Sequence, residues 1–71
     1  MDIKQHVLSM TPAVQNMLLC NAINTKNLGM LSELLEILRE QRNPNQLARI
    51  TASMMKDFTE NGVASAENLE L

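Results

Sequence analysis

The chain has 71 residues, a net charge of −2 and a single cysteine, so it forms one small domain whose core yields only about 3–5 kcal/mol without a disulfide, a metal or a partner. Its acidic balance argues against long-range attraction to nucleic acid or to an anionic membrane, and its longest strictly apolar run, 17–20, is far shorter than a membrane span. The lone thiol and the lack of a basic, apolar leader predict a cytoplasmic location.

The first clear helix signal is Thr11-Pro12. Threonine can cap the free N–H groups of a helix, and proline suits the first helical position, where it loses no hydrogen bond. We therefore predict a helix over 12–24. Because its apolar side chains cover more than half of its circumference, we expect it to be the most buried element. Residues 2–9 are compatible with a short N-terminal helix, which the sequence leaves open.

A second helix is predicted from 28 to about 42, after a polar break in which Thr25 and Asn27 are both suitable caps. Its apolar residues fill an arc of about 180°, whereas a helix that packs only on its own core needs about 100°. These residues form two rows. One row contains Leu28, Leu31, Leu35 and Leu38. The other contains Met30, Leu34 and Ile37 and continues to Gln41.

The pair Asn43-Pro44 separates the second predicted helix from a third. Residues before proline avoid the helical conformation, and Asn43 can then cap a helix that runs from Pro44 to about residue 61. Four large apolar residues recur along it at helical spacing and predict a buried face: Leu47, Ile50, Met54 and Phe58. Gly62 is predicted to end this helix as a left-handed cap.

Three helices joined by short connections predict an all-α fold, a small three-helix bundle made of an antiparallel helical hairpin and one further packed helix. We expect a single domain over 1–71, with its core at about 11–63 and a loose tail at 64–71. Because the core is small and the second helix has a surplus apolar face, we also expect a dimer or a permanent partner.

Residue types that can support catalysis or bind metals are present, but their arrangement does not favour either. His6 and Cys20 lack a third group to orient them as a base and a nucleophile, and Cys20 lies in an apolar stretch typical of a buried thiol. The spacing of Glu33, Glu36 and Glu40 places them on one helix face, which indicates a solvated charged surface. We therefore predict no enzymatic activity, no cofactor and no metal site.

One segment gives weak support to nucleic-acid binding. Residues 44–50 resemble the opening of a helix-turn-helix motif, in which a small residue follows a Gln-Leu pair. The motif then requires a glycine turn, but the chain has Ala-Ser at 52–53. Arg39, Arg42 and Arg49 gather near this corner and could contact phosphates. The acidic balance and the lack of interleaved aromatic residues argue against this interpretation, so a dimeric DNA-binding regulator is the alternative hypothesis.

The leading hypothesis is a small non-enzymatic regulator, an adaptor, inhibitor or co-chaperone, that binds a partner protein through an apolar helix face. The predicted partner-binding residues are Met30, Leu34, Ile37 and Gln41, while the leucine row is expected to pack inside the bundle. The partner can be a second copy in a two-fold homodimer or a larger protein. A structural oligomerisation module is a further alternative. By class analogy alone, such proteins occur among phage, plasmid and bacterial secretion products.

Overall fold

A computed structural model describes residues 3–66, which form four α-helices and no strand. The helices are α1 (Ile3–Leu8), α2 (Pro12–Asn24), α3 (Leu28–Leu38) and α4 (Pro44–Asn61). The predicted all-α class is confirmed, and residues 3–8 form α1, the short N-terminal helix that the sequence left open beside the three predicted helices. Within the described range, no helix has the length and apolar character needed to cross a membrane.

Polar side chains determine where the helices begin. Thr11 and Asn43 each accept hydrogen bonds from N–H groups in the first turns of α2 and α4, and both are followed by proline, as predicted. Of the two suitable residues before α3, Asn27 is the cap, since its Oδ1 accepts a hydrogen bond from the Met30 N–H at 3.1 Å. Thr25 instead ends α2.

The helix α3 ends at Leu38, earlier than the predicted residue 42. The N–H groups of Gln41 and Arg42 both donate to the Leu38 carbonyl, at 3.1 and 2.8 Å, so the chain closes into a tight turn. From this turn the Gln41 side chain donates to the carbonyl of Leu8 at 3.1 Å, and Arg42 Nη1 donates to Asn16 Oδ1 at 2.8 Å. The turn therefore joins α3 to both earlier helices.

The connection between α2 and α3 contains a left-handed residue that no glycine marks. Lys26 has a φ of 57°, and its N–H donates to the Ile23 carbonyl at 3.0 Å while the Asn27 N–H donates to the Ala22 carbonyl at 2.9 Å. This is the hydrogen-bond pattern of a helix C-terminus that usually has glycine at the left-handed position. A lysine there costs about 1 kcal/mol relative to glycine.

The helix α4 ends as predicted, with Gly62 in the left-handed region at φ 78° and its N–H bonded to the Phe58 carbonyl at 2.9 Å. We expect Gly62→Ala to lower the free energy of unfolding by about 1 kcal/mol, because L residues are disfavoured at this φ. A Cβ at Gly62 would meet no atom within 4 Å, so the cost lies in the backbone alone. Urea denaturation followed by circular dichroism measures it.

The matched control is Gly29→Ala, within α3, where the same change is expected to raise the free energy of unfolding by up to about 1 kcal/mol. A Cβ at Gly29 would come no closer to its surroundings than 3.8 Å, at Asn27 Oδ1. Effects of the same sign at both glycines would contradict the assignment of Gly62 as the left-handed cap.

The helix α2 is the central element, because it contacts both α3 and α4, while α1 packs on α3. Direct contacts between α3 and α4 are few. All four helices and the segment after α4 contribute to one hydrophobic core. It consists of Val7, Leu19, Cys20, Ala22, Ile23, Leu31, Leu34, Ile37, Leu38, Leu47, Ile50, Met54 and Ala64.

The buried face of α2 is less apolar than its sequence indicates. Gln15 and Asn16 are almost fully buried, whereas Val14 and Met17 are exposed. Gln15 Nε2 donates to the carbonyl of Val7 at 2.9 Å. It also donates to Gln41 Oε1, in the turn after α3, at 3.0 Å. Polar contacts to α1 and to this turn, and not apolar burial alone, therefore fix the orientation of α2.

Buried residues also lie outside the approximate core range, about 11–63, that the sequence predicted. Val7 of α1 is buried, and so is Ala64, which the sequence assigned to a loose tail. The Ala64 N–H donates to Asn24 Oδ1 at 2.6 Å, and Asn24 Nδ2 donates back to the Ala64 carbonyl at 3.2 Å. This reciprocal pair ties the chain after α4 to the end of α2. The rest of the predicted tail, 67–71, lies outside the described residues.

Candidate interaction groove

The row of α3 predicted to bind a partner is largely covered within the chain. Leu34 and Ile37 are only 4% and 8% exposed, Met30 is half-buried, and the Gln41 side chain is bonded to the Leu8 carbonyl of α1. Because α1 and α2 both pack on α3, the helix has the contacts on two sides that its wide apolar arc requires. Of the residues predicted to bind a partner, Leu34 and Ile37 are therefore buried within the chain, in the arrangement that the structure describes.

The leucine row, which was expected to pack inside the bundle, is the row that reaches the surface. Leu31 and Leu38 are buried as predicted, but Leu28 is 69% exposed and Leu35 is only half-buried. The reason is the position of α4, which packs on α2 and makes few contacts with α3. The outer half of the leucine row is consequently left beside a gap.

This gap is an apolar groove between α3 and α4. It consists of two adjoining depressions of about 540 and 400 Å³, which share Met55. One depression joins Arg39 to Pro44, and the other joins Leu28 to Phe58, so α3 and α4 run antiparallel along it. Its exposed and half-buried apolar residues are Leu28, Leu35, Ala48, Ala52, Met55 and Phe58. We call it the α3–α4 groove.

The charged residues that line the α3–α4 groove are both cations, one in each depression. Lys26 lies at the end formed by the start of α3, and Arg39 lies at the other end. No carboxylate of the described residues lines either depression. The groove is therefore an apolar surface with a positive charge at each end, although the chain as a whole is acidic.

The three arginines proposed for phosphate contacts have three different surroundings. Arg39 lines the α3–α4 groove, whereas Arg49 lines a separate polar cleft at the start of α4, beside Asn43. Arg42 is half-buried against Asn16, and this burial lowers the pKa of its guanidinium. In addition, α4 is continuous through 52–53, where a helix-turn-helix motif would require a turn.

The candidate catalytic residues are also separated by the fold. Cys20 is buried in α2, where burial and, to a lesser extent, the nearby Asp57 carboxylate raise the pKa of its thiol. His6 is exposed on α1. Glu33, Glu36 and Glu40 are all exposed, and Glu40 forms an ion pair with Lys4 at 2.8 Å. Residues 3–66 contain no group of three metal-ligating side chains.

A second depression, of about 810 Å³, lies beside α2 and is lined by Met17, Asn21 and the segment 64–66. Its lining is more polar than that of the α3–α4 groove, since asparagines of three successive helical turns contribute to it. The α3–α4 groove has the more apolar lining and is the better candidate for a partner.

No protein-family model matches the chain, and no curated protein or solved structure is significantly similar to it. The functional assignment consequently depends on the chemistry of the surfaces described above.

Proposed function

We propose that the chain is a small non-enzymatic regulator that binds a partner protein in the α3–α4 groove. The observation that carries this proposal is the exposure of a continuous apolar surface, with Leu28 and Met55 at 69% and 44%, between two helices that make few contacts with each other. Large contiguous apolar patches on the surface of a soluble protein mark sites of interaction with other molecules. Grooves between helices are a common receptor for a helix of another protein.

The side chains that line the groove favour binding over catalysis. The lining is apolar apart from Lys26, Arg39 and two threonines, and it contains no histidine, cysteine or carboxylate. A regulator of this kind acts by masking or bridging a helix of its partner, as an adaptor, an inhibitor or a co-chaperone does. A location in the cytoplasm is part of the proposal, supported by the free thiol of Cys20.

The DNA-binding alternative has weaker support. Its three arginines lie in different surroundings, and α4 contains no turn that would separate a recognition helix. The oligomerisation alternative uses the same groove, with a second copy as the occupant, and the experiments below distinguish it from a partner protein.

A binding comparison between two matched methionine variants tests the proposed function. Met55→Glu places a charge in the α3–α4 groove, and Met17→Glu places one on the far side of α2, where the side chain is 63% exposed. Each immobilised variant is compared with the wild type in an extract of the source cells. We expect Met55→Glu to lower retention of the specific partner more than about tenfold, equivalent to 1.4 kcal/mol, and Met17→Glu to leave it unchanged.

The proposed function fails if every protein retained by the wild type is retained equally by Met55→Glu. It also fails if Met17→Glu is the variant that releases the partner, because the binding surface would then lie beside α2. Equal urea midpoints for the two variants exclude misfolding as the cause of a loss.

A further inference from the structure

We infer that the occupant of the α3–α4 groove is an amphipathic helix with an apolar stripe and carboxylates near both of its ends. This inference rests on the proposed function and adds the chemistry of the partner. The apolar stripe follows from the lining, in which Leu35, Ala52 and Met55 form the middle of the groove. The carboxylates follow from Lys26 and Arg39, which lie at opposite ends and face no carboxylate of the lining.

The dimensions of the groove fit a helix of about three turns. At a rise of 1.5 Å per residue, the stretch of α3 from Leu28 to Arg39 is about 17 Å long, which corresponds to roughly eleven residues of a guest helix. The small side chains of Ala48 and Ala52 on α4 allow such a helix to approach closely. It would pack on α3 and α4 on the side away from α2, as the fourth member of a bundle.

The conformation of Lys26, which lies just after the C-cap of α2, also draws attention to this end of the groove. Lysine occupies a left-handed position, φ 57°, at which glycine would be more stable. Strained residues of this kind are concentrated at functional sites. At Lys26 the unfavourable backbone conformation places a cation on the lining of the groove, beside Leu28, where it can meet a carboxylate of the guest.

A second copy of the chain fits the groove less well than an acidic helix does. In a two-fold contact centred on the groove, the Lys26 end of one copy lies against the Arg39 end of the other. The contact would then place like charges together at both ends, which opposes association. An acidic guest helix instead forms an attractive pair at each end.

Selection from a displayed library of amphipathic helical peptides tests the inference. The peptides carry apolar residues at i, i+4 and i+7 and random residues at both ends, and the full chain is the bait. We expect selected peptides to be enriched in Asp and Glu at both ends and to bind Met55→Glu at least tenfold more weakly than the wild type. Lys26→Glu and Arg39→Glu should each weaken them about two- to five-fold, the range of exposed ion pairs.

The double variant, Lys26→Glu with Arg39→Glu, provides the sharper readout, because selection against it should enrich Lys and Arg at the peptide ends. Groove-dependent peptides without any bias in charge would overturn the acidic-helix inference and leave the proposed function standing. If no selected peptide bound the wild type more tightly than Met55→Glu, the inference would be overturned. If the native partner in the extract were retained equally by the wild type and by Met55→Glu, the proposed function would be overturned. A dimer that Ala52→Glu dissociates would identify a second copy as the occupant.

Discussion

Leu34→Glu is expected to unfold most of the protein at 25 °C, although it lies on the same helix as an exposed leucine. Its side chain is 4% exposed, and the loss of a buried leucine alone costs about 2–5 kcal/mol. A buried carboxylate without a partner adds to that cost or must be protonated. Because a domain of this size has only about 3–5 kcal/mol of stability, we expect loss of the far-ultraviolet helical signal and of the cooperative urea transition.

The matched control is Leu28→Glu, six positions earlier on α3, where the side chain is 69% exposed. It should change the free energy of unfolding by no more than about 0.5 kcal/mol, while placing a charge in the α3–α4 groove. If instead Leu34→Glu were fully folded and only lost a partner, Leu34 would lie on the surface and its described burial in the core would be wrong.

These two leucines show what the sequence can and cannot predict about the candidate site. The wide apolar arc of α3 correctly indicated that the helix has contacts on two sides, since periodicity reports how much of a helix is covered. Periodicity does not report what covers it. One of the helices that pack on α3 is α1, which is too short to give a periodic signal of its own. The row through Leu28 is left open because α4 packs on α2 instead.

The helix boundaries were predicted well where a side chain or proline acts locally. Thr11, Asn43 and Gly62 determine three boundaries through contacts within a few residues, and such contacts can be recognised in a sequence. The end of α3 was missed because Gln41 and Arg42 form hydrogen bonds with α1 and α2, which are distant in sequence. Burial of Ala64 depends on Asn24 in the same way.

The position of α1 depends on a small set of contacts. The Val7 side chain is buried, the Val7 and Leu8 carbonyls accept hydrogen bonds from Gln15 and Gln41, and Lys4 pairs with Glu40. Burial of valine contributes about 2 kcal/mol and each hydrogen bond about 1 kcal/mol, while an exposed ion pair adds less than about 1 kcal/mol. Gln15 Oε1 is buried without a hydrogen-bond partner, which reduces the total.

Val7→Asp is therefore expected to release α1 and leave α2, α3 and α4 folded. A carboxylate at this buried position outweighs the few kcal/mol that hold α1, and six residues are too few to remain helical when detached. Native-state hydrogen exchange should show loss of protection in 3–8 with protection retained in α2 and α4. Ile3→Asp, at a position that is 53% exposed, is the control and should leave exchange unchanged.

Release of α1 should also change the association state. It removes the contacts that α1 makes with α3, and an apolar surface that has lost its covering helix favours contact with a second copy. We compare the three proteins by sedimentation over a dilution series. At a given concentration, Val7→Asp is expected to have a larger mass than the wild type, and Ile3→Asp is expected to have the same mass as the wild type. If Val7→Asp instead lost the helical signal of all four helices, α1 would not be a separate unit. Its contacts would then be needed for the other three helices to fold.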